Sequence, residues 1–181
     1  MSEASPVAPP PATILVALTE AVVFIRISGR ANFTSSVHLK TLVSELQQRG
    51  HSRFVLDLAD CLIMDSTFLG VLAGIALRLS KAQSGGPPIV LNNPNPRITD
   101  LLENLGVWNL FCVSNAENIS GPTYSPAMTA AEKPSKEEIS RTCLEAHRTL
   151  MAVNPANVPK FKEVTQFLAE NLDHPKPASG E

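Results

Sequence analysis

The stretch "LIMDSTFLGVLAG", residues 62–74, runs from an apolar, strand-like segment through an acid and two hydroxyls into an apolar helical pattern. Beyond the hydroxyls, Leu69, Leu72, Ala73, Ala76 and Leu79 recur at the spacing of one helix face, which is typical of a face packed on a core. A strand that leads directly into a core-facing helix is a building unit of α/β domains. The junction itself, Asp65-Ser66-Thr67, lies where that helix begins.

The segments on either side predict a small α/β domain with a mixed sheet. Two apolar runs, "TILVAL" and "AVVFIRI", are separated by Thr19 and Glu20 and predict a hairpin. Helical periodicity then appears between Thr34 and Arg49, and Gly50 ends it. Strands are predicted at "RFVLDLA", "IVLN" and "NLFCV", with one helix reaching about Gln83 and a short one closed by Gly106. The order β-β-α-β-α-β-α-β covers residues 12–114.

Composition divides the rest of the chain into four segments. Residues 1–11 are rich in proline and alanine and are predicted to be disordered, as is the tail 174–181. Residues 115–134 carry Gly, Ser, Thr and Pro and predict a linker. Residues 135–173 predict two amphipathic helices, the first opened by an S-x-x-E capping box. This pair is expected either to dock on the α/β domain or to offer its apolar face to a partner or a second copy.

Charge and motif content exclude several classes of function. The chain has 15 basic and 17 acidic residues, which gives no reason to expect a nucleic-acid or anionic membrane surface. The N-terminus lacks the pattern of a secretory signal, and no apolar run approaches a membrane span, so the protein is expected to be soluble and cytoplasmic. Phosphate-binding and nucleophile-elbow motifs are absent, and the four histidines lack metal-ligand spacing. We therefore expect neither a cofactor nor a metal, and no enzymatic activity.

The hydroxyl of Ser66 has two interpretations. A serine at a helix start is commonly an N-cap whose oxygen accepts a backbone N–H. Alternatively, the same free N–H groups and the positive end of the helix dipole would accommodate a phosphate on Ser66. Such a phosphate would add about −1.5 to −2 charges beside Asp65, which suits a switch on a binding face.

Gly70 and Gly74 raise a second question about this helix. Each glycine in a helix interior costs about 1 kcal/mol relative to alanine, so a pair four residues apart requires a reason. Either the backbone of a partner approaches there, or the glycines lie beneath the linker or the C-terminal helices. In both cases Ser66, Gly70 and Gly74 share one side of the helix, with Val71 and Ile75 at its margin.

Three segments carry a resemblance to a known family. "VVFIRISGRAN", "FVLDLADCLIMDSTFLGVLAG" and "NPNPRITDLLENLGVWNLFCV", in this order, resemble the STAS domain (sulphate transporter and anti-sigma factor antagonist). The resemblance is to the stand-alone form of bacterial anti-sigma factor antagonists and spans about residues 12–114. It implies that Ser66, with Thr67 as a less favoured acceptor, is phosphorylated by an anti-sigma factor that is also a serine kinase. A serine phosphatase would restore the hydroxyl.

The resemblance, together with the helix geometry around Gly70 and Gly74, predicts where the partner would bind. The expected partner-binding residues lie on one stretch: Asp65, Ser66, Thr67, Phe68, Gly70, Val71, Gly74 and Ile75. Phe68 departs from the family, which commonly has glycine there, and residues 135–173 lie outside the resemblance. Two other functions stay open at this point: a constitutive adaptor, like the small STAS subunits of lipid-transport complexes, and a small-molecule or nucleotide sensor.

Overall fold

The structure is a computed structural model, and it describes residues 10–82, 87–116, 123–127 and 133–173. Most of the predicted disordered N-terminus, the whole predicted tail and much of the predicted linker lie outside these ranges. Within them, no helix is long and apolar enough to cross a membrane.

Seven described strands form one mixed sheet in the order β6-β5-β3-β2-β1-β7, with β4 paired to the end of β2. The predicted hairpin is confirmed, since β1 and β2 are antiparallel and Val16 faces Ile25 across the pair. The strands β2, β3, β5 and β6 run parallel to one another. Their bounds are β1 Thr13–Leu18, β2 Val23–Ala31, β3 Phe54–Asp57, β4 Cys61–Met64, β5 Ile89–Asn92, β6 Cys112–Ser114 and β7 Ser125–Pro126.

Five α-helices are present in the described residues, in the places that the periodicity predicted. Local side chains fix their starts: Asn32 and Ser135 each form a capping box, and Asn95 caps the third helix ahead of a proline. The predicted capping box between Ser135 and Glu138 is therefore confirmed. The bounds are α1 Phe33–Gln48, α2 Ser66–Ala82, α3 Pro96–Asn104, α4 Lys136–Val153 and α5 Val158–Asp173.

The predicted order of strands needs three corrections. β4 is an additional strand that the predicted order does not contain, because its four residues lie directly before the junction that leads into α2. β7 lies inside the predicted linker, where two residues pair with β1. The predicted strand "NLFCV" begins later than expected, because Trp108–Leu110 form a 3-10 turn before β6. For β7 the pairing partner is distant in the sequence, so local pattern carries little signal there.

Helix α2 lies at the centre of a three-layer arrangement. On one side, its residues Leu69, Leu72 and Ala76 share a buried cluster with Ile25 and Leu56 of the sheet. On the other side, α4 packs along it, and α5 packs on α4. Ten of its residues are buried in consequence, from Thr67 to Leu79. An amphipathic helix needs only one covered face, so α2 is unusual in being covered on both.

The α4–α5 pair therefore docks on the α/β domain, which is the first of the two alternatives left open by the sequence. The turn between the helices is anchored by Asn157, which is fully buried. Its side-chain amide donates to the carbonyl oxygens of Leu105 and Leu150, both at 2.9 Å. One side chain thus joins the end of α4 to the residue that ends α3 in the α/β domain.

Replacing Asn157 with alanine is expected to lower the free energy of unfolding by about 1–3 kcal/mol, because two buried carbonyl oxygens lose their donor. Urea denaturation followed by circular dichroism measures this. Asn171→Ala is the matched control, since the Asn171 amide also donates to a carbonyl oxygen, that of Phe167, but from an exposed position on α5. An equal loss in both variants would contradict the anchoring role of Asn157.

Candidate functional site

The junction between β4 and α2 is held by the carboxylate of Asp65. Its Oδ1 accepts the backbone N–H of Phe68 at 2.8 Å, which is the bond made by a helix N-cap. Its Oδ2 accepts the N–H of Phe33 at 2.8 Å and so joins the start of α1 to the start of α2. The interpretation of Ser66 as the cap is therefore wrong, because Asp65 performs that role one residue earlier.

The hydroxyl of Ser66 is consequently left for another contact. Ser66 is the first residue of α2 and is half-buried, and its Oγ lies 3.1 Å from Nε2 of His147 on α4. The next hydroxyl, that of Thr67, is buried and donates to the sulfur of Cys143, also on α4, at 3.7 Å. Both candidate phosphate acceptors thus face the C-terminal helical pair.

The environment of His147 disfavours its charged form. The imidazole is 7% exposed and stacks on Phe161 of α5, with ring centroids 4.6 Å apart. Burial lowers the pKa of His147 from its ordinary value of 6.5, although the Asp65 carboxylate and the Cys143 carbonyl act in the opposite direction. The burial of His147 therefore favours its neutral form.

Burial also raises the pKa of the Asp65 carboxyl, against the effect of the N–H groups of Phe68 and Phe33 and of His147. This changes the expectation for a phosphate on Ser66. The carboxylate already occupies the N–H groups at the helix start, so a phosphate there would meet a partly buried negative charge rather than free donors.

The two glycines behave differently. A Cβ on Gly70 would lie 2.6 Å from the carbonyl oxygen of Ala146, so the backbones of α2 and α4 touch there. A Cβ on Gly74 would meet nothing closer than 3.8 Å. The sequence left open whether a partner or the C-terminal helices cover this side of α2, and the structure shows the C-terminal helices.

The remaining expected partner-binding residues are also covered. Phe68 is fully buried in the core, so its ring is not exposed to a partner in this structure, although the sequence places Phe68 among the expected partner-binding residues. Val71 and Ile75, placed at the margin of the face, are 7% and 1% exposed. The surface that stays open near the junction is formed by two apolar side chains that the sequence did not single out, Phe33 at 45% exposure and Leu62 at 50%.

The geometry of this site gives little support to nucleophilic catalysis or metal binding. A serine next to a histidine suggests a nucleophile and its base, but the third group that would orient the imidazole is missing, because Asp65 binds backbone N–H groups instead. Within the described ranges, no group of three or more His, Cys, Asp or Glu side chains could hold a metal ion. The arrangement is that of a helix face covered by α4, with a hydroxyl at its edge.

Sequence reasoning missed His147, Ala146 and Phe161 as members of the site. Ala146 belongs to the apolar stripe of α4, and His147 is the next residue. The sequence therefore indicates that both lie at or beside the packed face of this helix. What the sequence lacked was the element on which this stripe docks.

Comparison with known proteins identifies the region that contains this junction. A family profile described as "Mlab, STAS domain" matches residues 14–111, more than half of the chain. The anti-sigma factor antagonist SpoIIAA, solved in its unphosphorylated form, is 18% identical, with a TM-score of 0.49 over 56% of this chain and 88% of that one. The Bacillus cell fate determinant SpoIIAA in its phosphorylated form is also 18% identical, with a TM-score of 0.45 over 56% and 91%. No curated protein matches the chain.

Gly70→Ala is expected to lower the free energy of unfolding by about 1–3 kcal/mol, because the added methyl group forces the backbones of α2 and α4 apart. Gly74→Ala is the matched control in the same helix. It has room for the methyl group and is expected to raise stability by up to about 1 kcal/mol through helix propensity. Urea denaturation of both variants tests this, and equal effects would contradict the close contact at Gly70.

Lowering the pH from 8 to 5.5 is expected to weaken the docking of α4. The pKa of His147 is lower in the folded than in the unfolded protein, so its contribution is complete above about 6.5 and declines as the pH falls below that value. The raised pKa of Asp65 acts in the opposite sense at lower pH. The difference in unfolding free energy between the wild type and His147→Gln, measured across this range, isolates the histidine, and a constant difference would refute the effect.

Proposed function

The chain belongs to the STAS domain family, and we propose that it is a non-enzymatic bacterial regulator of the anti-sigma factor antagonist type. In this proposal it binds an anti-sigma factor that is also a serine kinase, and reversible phosphorylation of Ser66 controls the binding. A serine phosphatase returns the protein to its binding form. Thr67 is a weaker candidate for the acceptor, because the residue is only 5% exposed and its hydroxyl donates to Cys143 of α4.

One observation supports this function above the others: Ser66 is free of the capping role. Because the Asp65 carboxylate accepts the N–H of Phe68, removal or modification of the Ser66 hydroxyl leaves the helix start intact. Ser66 is half-buried, and two exposed apolar side chains belong to the same junction: Leu62 of β4 and Phe33, whose N–H binds the Asp65 carboxylate. A charge added there would keep the N-cap bond of α2 but would alter the contact between α2 and α4 and the surface at the junction, which is where a binding switch would act.

Phosphorylation would oppose partner binding through charge and desolvation. A phosphate on Ser66 would lie next to the Asp65 carboxylate, whose pKa is already raised by burial. Any partner that covers this junction would bury two neighbouring negative charges, at a cost that an unmodified serine does not impose.

A constitutive adaptor is the second candidate, and a specific observation favours it. The side of α2 that carries Gly70 is occupied by α4, and the Ser66 hydroxyl already has a partner in His147. An adaptor would use other surfaces and would keep this contact permanently. It predicts stoichiometric co-purification with a transporter ATPase and no phosphate on Ser66.

Mass spectrometry of the protein purified from its own cells, with phosphatase inhibitors present, distinguishes the two. The proposed function predicts an added phosphate on the peptide that contains Ser66, and its loss in Ser66→Ala. Thr67→Ala is the matched control and should keep the phosphate. A peptide that stays unmodified, even after incubation with cell extract and Mg-ATP, would favour the adaptor.

Binding gives an independent check once a kinase is identified. Ser66→Ala is expected to bind it, whereas Ser66→Asp is expected to bind at least tenfold more weakly, because the aspartate places a second carboxylate beside Asp65. Equal binding of the two variants would refute the switch.

A further inference from the structure

Helix α4 occupies the side of α2 that the proposed function assigns to a partner. Its backbone reaches α2 at Gly70, where a Cβ would lie 2.6 Å from the carbonyl oxygen of Ala146. On either side of this contact, His147 reaches Ser66 and Thr149 lies near Gly74. The face of α2 is thus shaped to accept a helix, and it holds one.

The layer formed by α4 and α5 is separate from the family domain. The family profile ends at residue 111, so the domain is defined without these two helices. In α5, Thr165 is the one buried residue, while Val164 and Phe167 are 39% and 64% exposed. Of the residues in α4 and α5, Ala146 and Leu150 are the two that belong to the buried core cluster.

The contacts between α4 and the domain combine apolar packing, in which Ala146 and Leu150 join the core cluster, with several polar contacts. They include the Ser66–His147 and Thr67–Cys143 pairs and an ion pair between Lys40 of α1 and Glu145. A layer held by a few apolar side chains and such polar contacts opens at a lower free energy than a sheet core.

We propose that the α2 face is a helix-docking surface, which α4 of the same chain fills until a partner displaces it. This inference rests on the proposed function and names the kind of partner: a protein that presents an amphipathic helix with a small residue opposite Gly70. Docking of α4 and docking of that partner exclude one another. The C-terminal pair is then a built-in competitor that limits access to Ser66.

The structure provides a way to loosen α4 without touching the docking surface. Asn157 anchors the turn between α4 and α5 through its amide, and Asn157→Asp replaces the donor with a charge that faces two carbonyl oxygens. Glu145→Gln is a milder variant that removes the ion pair with Lys40. Its matched control is Glu137→Gln, because Glu137 is also on α4 but pairs within the helix, with Arg141.

Amide hydrogen exchange of the full chain, read by mass spectrometry, tests the proposal. In the wild type, peptides of α4 and α5 should exchange at least tenfold faster than those of β2 and β3. Asn157→Asp should speed exchange in α4, α5 and the first turns of α2 at least tenfold further, with β2 and β3 unchanged. Glu145→Gln should act in the same direction, and Glu137→Gln should not. If the amides of α4 exchange only at the same rate as those of β2 and β3, the proposal is overturned.

A labelled peptide of residues 135–157 tests the surface directly. It should bind the full-length Asn157→Asp variant at least tenfold more tightly than the wild type, and adding Gly70→Leu should abolish binding. Absence of binding to a variant whose α4 is shown to be open would overturn the helix-docking surface.

These readouts do not depend on phosphate. An α4 that opens and exchanges with the peptide, in a protein never phosphorylated on Ser66, would retain the surface and reject the switch. The reverse result would be phosphate on Ser66 in a protein whose α4 exchanges only together with the sheet. It would retain the phosphorylation switch and reject the proposal that α4 can be displaced from α2.

Discussion

The structure depends on the approach of two backbones at Gly70. The contacts of His147 with Ser66 and of Cys143 with Thr67 lie beside this approach and are made with α4 this close to α2. A side chain as small as alanine at position 70 would meet the carbonyl oxygen of Ala146. Glycine at position 70 lowers the helix propensity of α2 but allows α4 to pack as a third layer. That layer covers one side of α2 and so determines which part of the domain is accessible.

The start of α2 shows how neighbouring polar residues divide their roles. Asp65 satisfies the backbone donors of α2 and of α1, which fixes the junction of strand and helix. Ser66, one residue later, has no part in that framework, and its hydroxyl lies against His147 of α4 instead. The two residues therefore have separate roles, one as a cap and one as a contact between helices, which a plain turn would not provide.

The sequence predicted what depends on local pattern and missed what depends on distant contacts. The hairpin, the five helices and the capping box at Ser135 follow from periodicity and from side chains within a few residues. The pairing of β7 with β1 and the contact of His147 with Ser66 join segments about a hundred or eighty residues apart. For the same reason the glycines could be recognised as a place of close approach, while the identity of the approaching element could not be derived. The family resemblance supplied the domain, and the segment beyond it had no template.

The connection between β6 and α4 has a further consequence. Residues 115–135 join Ser114 to the start of α4, so the helix never diffuses away from the domain that it covers. A tethered segment of this kind acts at an effective concentration in the millimolar range. A partner at micromolar abundance would therefore be outcompeted unless its intrinsic affinity were much higher than that of α4. The protein would then respond to its partner with a threshold, whose height depends on the length and stiffness of the connecting segment as well as on the residues that form the interface.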